Sequence, residues 1–277
     1  RSWSERRWLG APPGRAAHRA LDEGVFSRQK LMIPLRDINP TRTFPLFTSL
    51  IVAGNVLVFL YELTLQVGQS QLAIDRFYDV YGFIPCVITS SCPRIAAQLA
   101  ALNPAIPPIA SLFTAMFVHG GWLHIGGNML FFWIFGNNIE DQLGHIRFLI
   151  FYFTCGLIAA LSQIAFDPTS AVPSLGASGA IAGVLGAYFV TFPTAPVDTL
   201  IFVLLIFIVR LPAFIVLGMW IVLQFFTGVG DLGTHDTGGV ATFAHIGGFL
   251  AGMLLVFVFR QRRGPPQATG QFLYPSL

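Results

Sequence analysis

Gly176-Ala-Ser178-Gly179-Ala-Ile-Ala182-Gly183-Val-Leu-Gly186-Ala187 places one hydroxyl at its head and small residues at i, i+3 and i+4 spacing behind it. Phe192-Pro193 closes the apolar run, because proline cannot continue the helical ladder, so a helix is predicted from about Ala177 to Phe192. The stripe of Gly179, Ala182, Gly183, Gly186 and Ala187 is the kind of face with which membrane helices pack backbone to backbone. A second apolar run carries a matching stripe: Ala241, His245, Gly248 and Gly252. Two such faces approach closely enough for a serine to touch an imidazole, whereas leucines there would hold the helices apart.

The chain is 54% hydrophobic and 10% charged, far below the quarter or so of charged residues in a soluble domain. Several windows approach or exceed the roughly 18 apolar residues that cross a bilayer. The expected class is therefore an all-α polytopic membrane protein. Nine of the 16 basic residues precede residue 45, and Arg260, Arg262 and Arg263 close the last apolar run. Without a folded basic domain or interleaved aromatics this charge does not indicate nucleic-acid binding; it indicates membrane orientation. No Cys/His cluster has metal-ligand spacing, and no cofactor or metal is expected. Cys155 lies in an apolar segment as a packing residue, while Cys86 and Cys92 sit in a polar loop and can pair if it faces an oxidising compartment.

Residues 1–44 read as a flexible cytoplasmic tail, 45–260 as the membrane domain and 261–277 as a second cytoplasmic tail. Six spans are expected: Phe47–Leu65, Gly120–Asn137, Phe148–Phe166, Ala177–Phe192, Ala213–Phe226 and Ala241–Phe259. Residues 66–110 form a long loop, Ile109–Val118 lies in the interface, and Asn138-Ile-Glu-Asp141 ends span 2. Leu200–Val209 is apolar but too short to cross, and reads either as an interfacial element or as a seventh span. Seven spans would export the final arginine cluster, so the positive-inside tendency selects six. That parity also puts Ser178, His245 and His124 within about two turns of the outer ends of their helices, roughly 5–10 Å deep.

Each polar residue has a plain alternative. Ser178 at a helix start is most simply an N-cap hydroxyl, yet that start also aims free N–H groups at an anion, as a tetrahedral oxyanion requires. His245 as an isolated intramembrane histidine is often structural; in an apolar setting it favours the uncharged form a general base needs. His124 and Asn128 share a face of span 2 and both can donate to an oxyanion, although Asn128 alone reads as an interhelical contact. His119 assists or caps. No Asp or Glu is placed to orient His245, which favours a Ser-His dyad over a triad. Glu140 and Asp141 read as structural or solvated, and Asn55, Glu62 and Gln163 as bundle contacts.

Taken together, His119-Gly-Gly-Trp-Leu-His124-Ile-Gly-Gly-Asn128, Gly176-Ala-Ser178-Gly179 and Ala244-His245-Ile-Gly-Gly248 resemble the three motifs of the rhomboid family of intramembrane serine proteases, over residues 32 to 260. The resemblance implies a six-helix rhomboid-like bundle with Ser178 as nucleophile and His245 as base. His124, Asn128, Gly176 and the backbone N–H of Ser178 would form the oxyanion hole, with His119 in support. It implies substrates that are transmembrane helices of other proteins, a multi-pass location in a bacterial plasma membrane, both termini cytoplasmic, and an active site opening outward. Met32-Ile-Pro-Leu-Arg36-Asp-Ile-Asn-Pro40 is similar to the N-termini of bacterial members, so residues 1–31 lie before the natural start or form an extension. Ala182 stands where some members carry a tyrosine that stacks on the base. The rival readings are a catalytically inactive relative that binds membrane clients and a small transporter. A transporter would need polar residues along a whole path and an internal repeat, and neither is visible.

Overall fold

A computed structural model describes residues 32–68, 70–102, 106–202, 206–234 and 241–261. The outer parts of both tails and residues 235–240, between the fifth and sixth expected spans, lie outside that set. Strand β1 (Met32–Asp37) precedes helix α1 (Leu46–Gly68). Four short helices follow: α2 (Gln71–Tyr81), α3 (Pro85–Ile88), α4 (Pro93–Ala100) and α5 (Pro108–Thr114). A 3-10 turn (Ala115–Phe117) leads into α6 (Trp122–Leu143), α7 (His145–Phe166) and α8 (Ser178–Thr191). Strands β2 (Pro196–Phe202) and β3 (Ile206–Pro212) come next, then α9 (Ala213–Thr234) and α10 (Thr242–Phe259).

The molecule is mostly helical, but the all-α expectation needs correction. β1, β2 and β3 form an antiparallel sheet in that order. The described residues of the run Leu200–Val209 are strand and not a seventh span: 200–202 end β2 and 206–209 begin β3, where β-branched residues suit extended backbone. The tail expected through residue 44 contributes β1, whose Arg36 stands opposite Asp198, itself opposite Arg210. Both guanidiniums reach that carboxylate at 2.9 Å, and hydrogen bonds from Arg210 and then Arg36 hold it below the usual carboxylate range.

The expected count of six crossings is not met by length alone. α1, α7 and α10 are each long and apolar enough to cross; α6 qualifies only together with Pro108–Phe117, from which it bends by 81°. α8 has 14 residues, about 21 Å of rise, and α9 is apolar from Ala213 through Thr227. The expected long loop at 66–110 contains α2 to α4 and part of α5.

α8 is the central rod, with every side chain from Ala180 to Tyr188 buried. α10 lies parallel to it at backbone distance. A methyl group on Gly252 would land on the carbonyl of Gly183, one on Gly248 on that of Gly179, and one on Gly186 on that of Phe249. α7 runs the other way along α8, pairing Gly179 with Ala159 and Gly183 with Cys155. α6 accompanies α8 from Gly176 beside His124 to Tyr188 beside Phe135.

Polar groups at the sheet end satisfy helix termini across the bundle. Glu140, fully buried, accepts from the backbone N–H groups of Phe47 and Thr48 at 2.9 and 2.8 Å and from the Thr48 hydroxyl at 2.7 Å. These donors belong to the first turn of α1, where no helical carbonyl is available. Asp141 likewise accepts from the N–H and hydroxyl of Thr43. Span 2 therefore does not stop at Asn138; it continues to Leu143, because its polar residues are buried against α1, and Gly144 at φ 79° ends it. Asn55 bonds its own helix through the Ile51 carbonyl rather than a neighbour.

Asp37 is buried where the sheet meets the bundle, accepting from Tyr188 Oη at 2.8 Å and Asn138 Nδ2 at 2.7 Å. Burial pushes its carboxyl up from 3.8 to about 6, against the lowering effect of those hydrogen bonds. The folded chain thus binds this proton more tightly than the unfolded chain, and stability rises as pH falls through 6. Between pH 7.5 and pH 5 this one group adds about 1.4 kcal/mol. Asp37→Asn, which keeps an acceptor oxygen, should remove that increment; thermal unfolding in detergent with equal pH slopes for both proteins would contradict it. For the helix contact, Gly252→Val should lower stability by about 2–3 kcal/mol or prevent folding. Leu254→Ala, on the exposed face of α10, should be tolerated in the same assay.

Candidate active site

Ser178 is the first residue of α8, and the N-cap position belongs to Ala177, which offers no side-chain bond. The serine hydroxyl is therefore not a cap. It lies 2.7 Å from Nε2 of His245, one turn into α10. The glycine contacts between α8 and α10 make this approach possible: Gly179, next to Ser178, lies against Ala244, next to His245.

The segment ahead of Ser178 is pinned by two earlier parts of the chain. Ser174 and Phe83 exchange backbone hydrogen bonds of 2.8 and 3.2 Å, and the Gly176 N–H donates to the Ala115 carbonyl at 2.8 Å. Cys86, disulfide-bonded to Cys92, donates its N–H to Ser170 on the same side. Cys155 is free and buried in the bundle.

Gly176 has φ +112°, and a methyl group there would stand 2.6 Å from Nε2 of His124 and 3.7 Å from Nδ2 of Asn128. Both side chains thus flank the turn that delivers Ser178. The N–H of Gly120 donates to Nδ1 of His124 at 3.4 Å, so Nε2 carries the proton and is the donor on the Gly176 side. Asn128 donates one amide hydrogen to the His124 carbonyl at 3.0 Å, leaving its second for another acceptor. Ser178 at the helix start has no intrahelical carbonyl for its own N–H. The expectation for Gly176 needs correction: its N–H is spent on Ala115, so it contributes space and a positive φ, not a donor.

His119 is fully buried, with its ring set edge-on to His124 at 5.0 Å. Glu62 accepts its backbone N–H at 3.1 Å, and Tyr78 donates to its carbonyl at 3.3 Å. Gln163 accepts the N–H of Ala244 at 3.3 Å, serving the first turn of α10 as Glu140 serves α1. These are interhelical contacts that hold the motif backbones in place.

Two residues beside His245 escaped the sequence reading. Gln224 on α9 places Oε1 3.0 Å from Nδ1 of His245. Trp220, one turn earlier, flanks the same ring with centroids 5.7 Å apart and planes at 44°. The search for an orienting group considered only carboxylates. The available signal was an amide in an otherwise apolar span, four residues from a tryptophan.

A family profile for the Rhomboid domain matches residues 108–262, more than half of the chain. The chain belongs to the rhomboid family. Among its relatives, RHOMBOID-like protein 1 of Arabidopsis thaliana is 27% identical over 234 residues, covering 78% of this chain and 54% of the relative. Rhomboid protein 1, mitochondrial, of Saccharomyces cerevisiae is 29% identical over 172 residues, 58% of this chain and 46% of the relative. Rhomboid protease GluP of Bacillus subtilis is 40% identical over 76 residues, 27% of this chain and 14% of the relative. This rhomboid thus spans about half or less of the length of those relatives. Rhomboids are generally intramembrane serine proteases, and this one is a multi-pass membrane protein with apolar helices of spanning length.

The tight seat of Gly176 gives a direct check. Gly176→Ala should lower stability by about 1–3 kcal/mol, because an L side chain resists this φ and its methyl displaces His124. An unchanged thermal unfolding midpoint would show that neither the φ nor the contact with His124 constrains this turn.

Proposed function

We propose that this rhomboid is a serine endopeptidase that cleaves transmembrane segments of other membrane proteins. The observation that carries the reading is the 2.7 Å contact of Ser178 Oγ with His245 Nε2, made by a hydroxyl that forgoes the capping role its position invites. Ser178 Oγ attacks the scissile carbonyl carbon while its proton passes to Nε2 of His245. The oxyanion is received by Nε2–H of His124, the free amide hydrogen of Asn128 and the N–H of Ser178. His245 then returns the proton to the leaving amine, and water hydrolyses the acyl-enzyme by the same steps. A substrate helix must unwind locally first, since its carbonyls are otherwise engaged in its own ladder.

The orientation follows the same reading: active site toward the extracytoplasmic side, both termini cytoplasmic, in a bacterial plasma membrane. Two features support it. The disulfide Cys86–Cys92 sits at the Ser178 end, and such bonds persist in oxidising compartments. Arg36, Arg42, Arg147, Arg210 and Arg260 gather at the opposite, sheet end, the bias expected of a cytoplasmic face. The helices α1, α6, α7, α8, α9 and α10 supply the six proposed crossings.

A fluorophosphonate probe should label the wild type and spare Ser178→Ala. His245→Ala should lower both labelling and cleavage of a single-span reporter by roughly 10³-fold or more, because the hydroxyl loses its base. Persistent labelling of the Ser178→Ala protein would refute the nucleophile, and full reporter cleavage by His245→Ala would refute the base.

A further inference from the structure

We propose that Gln224 is a positioning residue for the base: its side-chain carbonyl holds the ring of His245 in the one tautomer that presents a lone pair to Ser178. This rests on the proposed roles of Ser178 and His245. Gln224 is 4% exposed. It extends the inward face of α9 laid out by Ala213, Val216, Leu217 and Trp220, and among the described residues of that face it is the one that is not hydrophobic. An amide turned inward among membrane helices is costly without a partner, and its Oε1 finds Nδ1 of His245 at 3.0 Å.

The chemistry of the contact is directional. An amide oxygen only accepts, so Nδ1 must carry the ring proton. A neutral imidazole has one proton, so Nε2 is left with its lone pair, aimed at the Ser178 hydroxyl 2.7 Å away. Both ring nitrogens are thereby engaged, one by α8 and one by α9. Trp220 restricts the ring from the side, a role consistent with Ala182 standing where some relatives carry a stacking tyrosine. When Nε2 takes the serine proton, the Nδ1–H to Oε1 bond becomes charge-assisted and strengthens. Gln224 therefore favours the state in which the ring has accepted the proton. It does so without adding a full charge, which would be costly to desolvate in this setting. The buried amide completes a Ser-His-Gln relay across three helices.

The test uses the full chain in detergent micelles, with Gln224→Met as a near-isosteric variant lacking the acceptor. Gln224→Met is expected to lower kcat on a single-span reporter roughly 10- to 100-fold with KM within about twofold. ¹⁵N NMR of labelled histidines, with His245 identified by its absence in His245→Ala, should show one Nδ1-protonated form in the wild type and mixed tautomers in Gln224→Met. A folded Gln224→Met that retains its rate, or a His245 spectrum unchanged by Gln224→Met, would overturn the proposal. The NMR reading needs no catalysis. Loss of the nucleophile assignment, seen as labelling of Ser178→Ala, is therefore separable from failure of Gln224 to set the ring.

Discussion

Backbone-to-backbone packing of α8 on α10 is the constraint on which the rest depends. Gly186 on one rod and Gly248 and Gly252 on the other leave no room for even a methyl group against the facing backbone. In a bilayer the hydrophobic effect does not drive helices together, so this proximity comes from van der Waals fit. It fixes the distance between Ser178 and His245 before either side chain is considered. The two residues are delivered by rigid elements, not by loops, which is how a site keeps its geometry without a large supporting shell.

A second theme is the satisfaction of helix ends across the bundle. The first turn of α1 is served by Glu140 and Thr43 is held by Asp141, both from α6, while the first turn of α10 is served by Gln163 from α7. A terminus left bare in a low-dielectric region carries the cost of each unpaired N–H. These long-range bonds fix helix registers as well, because each acceptor must meet a particular residue. The start of α8 differs: its first residue is a serine whose hydroxyl faces a histidine.

Much of this was legible in the sequence, for identifiable reasons. Small-residue stripes and proline stops are local signals, and they located α7, α8 and α10 to within a few residues. The motifs at His124, Ser178 and His245 were readable because their residue types are rare in apolar runs. What was missed depended on partners distant in sequence. β1 pairs with a strand some 160 residues away, so its strand character was invisible beside an arginine-rich tail. Asn138 and Glu140 looked like the end of a span because polar residues usually mark one; their burial depends on Asp37 and on the first turn of α1. Gln224 was passed over because its significance lies in what it faces on α10.

The brevity of α8 shows in how its ends sit against its neighbours. α6 and α7 have 22 residues each against its 14; α6 begins level with it, His124 beside Gly176, and runs on at the sheet end, whereas α7 runs past its start to Phe166. At the other end, Asp37, Asn138 and Tyr188 knit the sheet to the rods. The serine end is therefore overhung by α7 and not by α6, while the sheet end is tied down by buried polar bonds.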